Sequence, residues 1–342
     1  MSDSISANET PVTLAFVGCS HIHFPGLRDA MARRPDVQVT ALWDADPAKA
    51  EAAASHFPGC RVASDPTTIA GDASVAAVAL LGETNLHDSH VPIFAAAGKH
   101  LFVEKPIGIG ADDARRIAEA IENAGVLFST GYYHRAEPKI VFLREQIQAG
   151  AFGKITRARM SNCHSGALGG WFDTEWRWMA DPKIAGVGAF GDLGTHVLDA
   201  LLWMLGPVKS ATARISAGTA RYPGCDETGE GLLEFENGVI ATMTAAWDDV
   251  DDPVKLIISG TEGHATIFRG QLYFQSAHVE GADGKTPWTT LPDPSPWGLD
   301  ALIDAIQGKP TPALCPVRDA AYACAVMEAM YKGNHENRWA TP

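Results

Sequence analysis

From Val12 onward, short apolar runs alternate with amphipathic stretches: TLAFVG, GLRDAMARR, VQVTALWD, PAKAEAAASHF, VAAVALLG, VPIFAAAGK, HLFVEKP, DDARRIAEAIENAG and VLFSTG. Continuous apolar runs bounded by Gly or Asp predict parallel strands buried on both faces, and the Ala-rich stretches between them predict crossover helices. The first half therefore reads as a doubly wound α/β unit. After about Gly131 the period changes. One helix, Lys139 to Ala149, leads into KITRARMSN, ATARISA, GLLEFENGVIATMTAAW and VKLIISGTEGHATIFRG, whose two-residue alternation predicts antiparallel strands with one buried face. Asn237-Gly238 predicts a tight hairpin with both central residues at positive φ. This pattern divides the chain into an α/β domain, 1–130, and an α+β domain, 131–342.

Composition narrows the partners. The 342 residues suffice for two cores, and no run is long and apolar enough to cross a bilayer, so a membrane is not an expected partner. A net charge of -14 opposes phosphate-backbone binding, and nucleic acid is not expected either. The opening stretch, Met1 to Thr13, is polar and lacks the pattern of a secretory signal. Cys19, Cys60, Cys163, Cys225, Cys315 and Cys324 show no CxxC or regular spacing, which predicts reduced thiols in a cytoplasmic protein.

Three segments carry candidate chemistry. Gly18-Cys19-Ser20-His21-Ile22-His23 lies between the first strand and first helix, where a dinucleotide fingerprint turns the chain and offers its amides to a pyrophosphate. It keeps only the first glycine of GxGxxG; an ordinary strand-to-helix turn is the alternative. Asp44 ends the second strand at the separation expected for a carboxylate on the ribose hydroxyls, which favours NAD over NADP, and Asp46 suits a turn or helix cap. His21 and His23 form an HxH pair, but no neighbouring cysteine or acid completes a shell, so no metal is expected.

Glu104-Lys105-Pro106 follows HLFV, at the carboxyl end of a parallel strand where open α/β sheets place ligands. A lysine there hydrogen-bonds a substrate oxygen and stabilises developing negative charge, unless it is a solvated loop lysine. Farther along, Asp192 and His196 stand four apart at the start of a helix, on one face. His196 suits a general base and Asp192 its orienting partner; an N-cap aspartate with a satisfied histidine is the structural alternative.

Together these segments, with AGKHLFVEKP, GKITRARM, DPKIAGVGAFGDLGTHVLDALLWMLG and SGTEGHATI in order along nearly the whole chain, resemble the glucose-fructose oxidoreductase, inositol dehydrogenase and rhizopine catabolism family, Gfo/Idh/MocA. The resemblance implies an N-terminal Rossmann dinucleotide-binding domain and a C-terminal α+β domain with a large, mostly antiparallel open sheet that forms homodimers or homotetramers. It implies NAD-dependent hydride transfer at a secondary alcohol of a sugar, cyclitol or related polyol, with Lys105, Asp192 and His196 as the catalytic group. Gly18, Ser20, His21, Ile22, Asp44, Leu81, Gly82, His87, Glu104 and Lys105 would meet the cofactor. Tyr133, His134, Arg135, His164, Trp176, Arg177 and Lys183 would join Asp192 and His196 around the substrate, although core packing equally suits the tryptophan and solvent suits Arg177.

Two departures stand out: GCSHIH itself, and Gly82-Glu83-Thr84-Asn85-Leu86-His87 where relatives commonly read TPNxxH. Two other functions share the fold. One is a glycosidase or lyase acting through a transient keto-sugar with tightly held NAD. The other is a nucleotide-sensing regulator, against which the joint presence of Lys105, Asp192 and His196 argues.

Overall fold

The computed structural model describes residues 10–342. Residues 1–9, most of the polar opening stretch behind the cytoplasmic expectation, lie outside the described residues. The first half contains β1 (Val12–Val17), α1 (Phe24–Arg33), β2 (Val37–Trp43), α2 (Pro47–Ala54), β3 (Arg61–Val62), α3 (Pro66–Ala70), β4 (Ala77–Leu80), α4 (His87–Ala96), β5 (His100–Val103), α5 (Gly110–Ala124) and β6 (Phe128–Ser129). Its six strands are parallel in the order β3-β2-β1-β4-β5-β6. Alternate residues of each central strand feed different cores, which is why the runs are continuously apolar. Leu14, Phe16, Ala77, Ala79 and Phe102 enter one cluster, while Ala15, Val17, Val78, Leu80 and Val103 enter the other. The order reverses between β1 and β4, and ligands of such sheets bind at that crevice. Asp46 caps α2, accepting from Ala48 N–H.

The second half contains α6 (Pro138–Gln148), β7 (Ile155–Cys163), α7 (Pro182–Ala185), α8 (Ala189–Leu205), β8 (Val208–Ser216), β9 (Thr228–Phe235), β10 (Ile240–Ala246), β11 (Val254–Gly260), β12 (Gly263–Phe268), β13 (Gln271–Ser276), β14 (Asp283–Pro287), α9 (Gly298–Ile306) and α10 (Val317–Glu336). Its eight strands run β14-β13-β12-β11-β7-β10-β9-β8, antiparallel except where β7 meets β10. Ala241, Met243 and Ala245 of β10 are fully buried beneath α8, whereas Ile240 is exposed. The β9–β10 hairpin forms as expected but with another turn: Gly238 takes φ +84° and Asn237 is not at positive φ, the geometry of a type I turn closed by a left-handed glycine.

α9 returns to the first half. Its Leu299, Leu302 and Ile303 join the core containing Phe16 and Phe102, and Arg34, the C-cap of α1, pairs with Asp300 and Asp304. No helix among the described residues is long and apolar enough to cross a membrane, and all six cysteines are free.

Candidate active site

Two elements carry the chemical group to one place. β5 ends at Val103, so Glu104 and Lys105 emerge at the carboxyl edge of the Rossmann sheet, before a cis peptide to Pro106. α8 supplies Asp192 and His196 from its first two turns. Gly188, its N-cap, has no side chain for the orphan amides; Asp226 reaches in from the β8–β9 connection instead. Its carboxylate accepts from Gly188 N–H at 3.1 Å, Phe190 N–H at 2.7 Å and Tyr331 O–H at 2.9 Å. Gly194 lets the helix lie close to the sheet, since a Cβ there would stand 2.6 Å from the Met243 methyl.

Lys105 Nζ meets Asp192 Oδ1 at 2.5 Å, and Trp247 Nε1–H donates to Asp192 Oδ2 at 3.2 Å. The pair is nearly dry, with side chains 2% and 13% exposed. Burial pushes the Asp192 carboxyl up, but the Lys105 ammonium and its hydrogen bond outweigh that and hold it below its ordinary value. The expected service of Asp192 as the group orienting His196 is corrected here: their shared helix face brings both to one cavity, but the carboxylate is taken by Lys105 and Trp247. His196 Nδ1 is buried and has no hydrogen-bond partner among the described residues. Burial first, then the charge of Lys105, hold the imidazole well below its ordinary pKa, so it is neutral, with one ring nitrogen unprotonated.

Lys105, Asp192 and His196 line a cavity of about 300 Å³ between the two halves, with His23, Tyr133 and His164. The Tyr133 ring lies 4.9 Å from that of His196, and the His164 ring lies 4.7 Å from that of Trp171, tilted by 33°. A neighbouring space of about 460 Å³ shares Ile22, His23, Tyr133 and His196 and runs outward past Leu27 to Trp297.

The cofactor-side residues gather along the crevice. Gly18, at φ +84°, touches the β4 loop so closely that a Cβ would lie 2.3 Å from Gly82 N; only glycine fits. His21 N–H donates to Leu81 O at 3.1 Å. Asp44 is buried and accepts from Cys19 N–H at 2.6 Å and Asp46 N–H at 2.8 Å, which ties it to the turn while leaving lone pairs for ribose hydroxyls. Ser20 Oγ is buried without a partner among the described residues, a state that a phosphate oxygen beside this turn would relieve. The turn thus fits a dinucleotide. His87 instead sits beneath the Pro106–Ile107 bend, its Nδ1 3.2 Å from Ile107 O.

His21, His23 and Glu104 bring potential ligand atoms within 4.8 Å of one another, so the acid that sequence separation hid does stand beside the HxH pair. Their hydrogen bonds run among themselves: His23 N–H donates to His21 Nδ1 at 3.1 Å, and His23 Nδ1 lies 3.0 Å from Glu104 Oε1. An accepting Nδ1 places the His21 proton on Nε2, which suits a donor rather than a ligand.

Several expected substrate residues lie elsewhere. Arg135 is buried in ion pairs with Asp199 and Asp319, at 2.7 and 2.9 Å, beside a separate cavity with Trp203 and Tyr322. Arg177 lies over the Tyr222 ring, Trp176 packs on the core and Lys183 is exposed on α7. His134 is adjacent without lining either space; its ring is 6.5 Å from that of His196, and Nδ1 meets Glu137 at 2.9 Å. Sequence reasoning missed Asn162, Trp171, Phe172 and Met179 on the cavity wall. It also missed Trp178, whose Nε1–H donates to Ser20 O at 3.0 Å. A tryptophan in a single 3-10 turn carries no periodic signal of the side it faces.

Residues 12–132 match an oxidoreductase family with an NAD-binding Rossmann fold, and residues 140–266 match the Gfo/Idh/MocA C-terminal domain. The chain belongs to the Gfo/Idh/MocA family. As a Gfo/Idh/MocA protein it is an oxidoreductase with an NAD-binding Rossmann domain. It is 24% identical over 329 residues to the D-glucoside 3-dehydrogenase of Escherichia coli (strain K12), covering 88% of this chain and 89% of that one. It is 24% identical over 294 residues to the scyllo-inositol 2-dehydrogenase (NAD(+)) of Bacillus subtilis (strain 168), covering 83% and 81%. The fold matches GenD2 from gentamicin A biosynthesis, solved with NAD, at TM-score 0.79 and 23% identity over 99% of both chains. Levoglucosan dehydrogenase with NADH and levoglucosan matches at TM-score 0.78 and 20% identity, over 97% of this chain and 100% of that one.

Proposed function

We propose that this Gfo/Idh/MocA protein is an NAD-dependent dehydrogenase acting on a secondary alcohol of a sugar, cyclitol or related polyol. The observation that carries the reading is the convergence of Lys105, Asp192 and His196 on one cavity beside the dinucleotide turn. Gly18, Ser20, Asp44, Leu81 and Gly82 hold the cofactor, which supplies the hydride acceptor when bound. Lys105 Nζ donates to the alcohol oxygen and stabilises negative charge as it grows. Asp192 keeps the ammonium aimed, and its ionised carboxylate accepts from a second hydroxyl. Neutral His196 takes the hydroxyl proton, and Phe172 and Met179 supply apolar wall beside it.

In this reading residues 1–130 bind the cofactor, and residues 131–342 bind substrate and assemble the protein. Exposed Ile240 and Phe268 on the second sheet support a homodimer or homotetramer, and the six free thiols support a cytoplasmic site. The test is NADH formation from NAD and a panel of cyclitols, aldoses and glycosides. The reading expects saturable NADH formation with at least one member, and none with any member contradicts it.

A further inference from the structure

In the proposed reaction the proton taken by His196 arrives on a buried ring with no partner at Nδ1 among the described residues, so it cannot rest there. His23 offers the opposite setting. It occupies the third-glycine place of the fingerprint, at the N-cap of α1, yet its side chain makes no cap bond and turns instead to Glu104 Oε1 at 3.0 Å. Glu104 is only 2% exposed and is steadied by Lys105 N–H on Oε2 at 3.0 Å. The His23 side chain is 45% exposed, and the residue lines both spaces that His196 and Tyr133 line. Charged and titratable groups around it are His21 on its own turn, Glu104 and Lys105 after β5, Tyr133 after β6, His164 after β7, Asp192 and His196 on α8, and Asp300 on α9. A carboxylate behind Nδ1 leaves Nε2 as the free lone pair, the arrangement of an oriented acid–base histidine.

We infer that His23, braced by Glu104, is a second acid–base residue of this cavity and receives the substrate's hydroxyl proton from His196, directly or through one water. The O–H proton ends on His23 Nε2, the C–H hydrogen leaves with its electron pair for the nicotinamide, and the alcohol carbon becomes a carbonyl. In the reverse direction His23 returns the proton.

The inference rests on the dehydrogenase reading, and His23→Gly tests it. Glycine is the ordinary residue of a dinucleotide turn at this place, so the variant should keep NAD affinity, while the buried Glu104 carboxylate left without its imidazole partner lowers the melting temperature without unfolding the protein. With a substrate the wild type oxidises, kcat should fall by about 100-fold, and millimolar imidazole should restore part of the loss. An unchanged kcat, or a loss that imidazole does not restore, overturns the inference alone; a wild type that reduces no NAD with any polyol overturns the reading beneath it. Nitrogen NMR of labelled histidine gives a readout free of turnover. The inference expects the proton of the neutral His23 imidazole on Nδ1 rather than Nε2, and the opposite tautomer overturns it.

Discussion

Replacing Lys105 with Met removes one of two donors that hold the Asp192 carboxylate, leaving Trp247 Nε1–H at 3.2 Å. Both members of the pair are largely sequestered, with side chains 2% and 13% exposed, so the loss acts twice. Breaking a buried pair costs about 3–5 kcal/mol of stability because the remaining charge is uncompensated. Losing the donor to the developing alkoxide costs a further factor of roughly 100 to 1,000 in kcat. The double variant Lys105→Met with Asp192→Asn removes the orphaned charge. It should recover most of the stability while remaining as slow as the single variant. Urea denaturation reads the first effect and single-turnover NADH formation the second, with NAD titration verifying an intact cofactor site. A single variant whose kcat stays within about tenfold of wild type would refute the assignment of Lys105 to the reacting oxygen.

Burial lowers the His87 pKa from 6.5 to about 4, so its contribution to stability is full above the unfolded value and is lost as pH falls from 6.5 toward 4, by roughly 3 kcal/mol. Melting curves of the wild type should fall across that window and those of His87→Gln less steeply; parallel curves contradict the assignment. Asp226→Ala uncaps α8 and should cost about 1–3 kcal/mol in urea and lower kcat through misplacement of Asp192 and His196, with NAD affinity preserved. Unchanged stability would mean that the cap does not hold the helix. Asp44→Ala should weaken NAD by at least about tenfold and narrow its preference over NADP, read by fluorescence titration; an unaltered ratio of the two affinities contradicts ribose recognition.

Strands with two buried faces were the most legible part of the fold. HLFV coincides with β5, because an apolar run between polar punctuation has few other places to go in an α/β layer. The α8 helix was equally plain, yet what fixes it was not, since Asp226 lies 38 residues beyond the amide of Gly188 that it caps. Long-range partners were the general blind spot. Glu104 completes a cluster with His21 and His23 across a separation of 81 residues from His23, and the return of α9 onto the first sheet leaves no trace in local pattern. Arg135 was drawn toward the substrate by its place after the last Rossmann strand. Its guanidinium instead serves Asp199 and Asp319, which only the folded arrangement of α8 and α10 brings together. At the candidate site, spacing and resemblance single out Lys105, Asp192 and His196 as the expected chemical group, whereas the pairing of Asp192 with Lys105 required the geometry.

The central claim is that this cavity moves a hydride from a secondary alcohol carbon to NAD, and isotope transfer tests it most directly. A polyol that the protein oxidises is deuterated at the reacting carbon, and the NADH formed in ordinary water is examined by mass spectrometry and NMR. The account predicts one deuterium at C4 of the nicotinamide for each ketone formed, with a rate that drops in Lys105→Met. Reduced nicotinamide carrying no deuterium, or ketone formed without reduced nicotinamide, would contradict it.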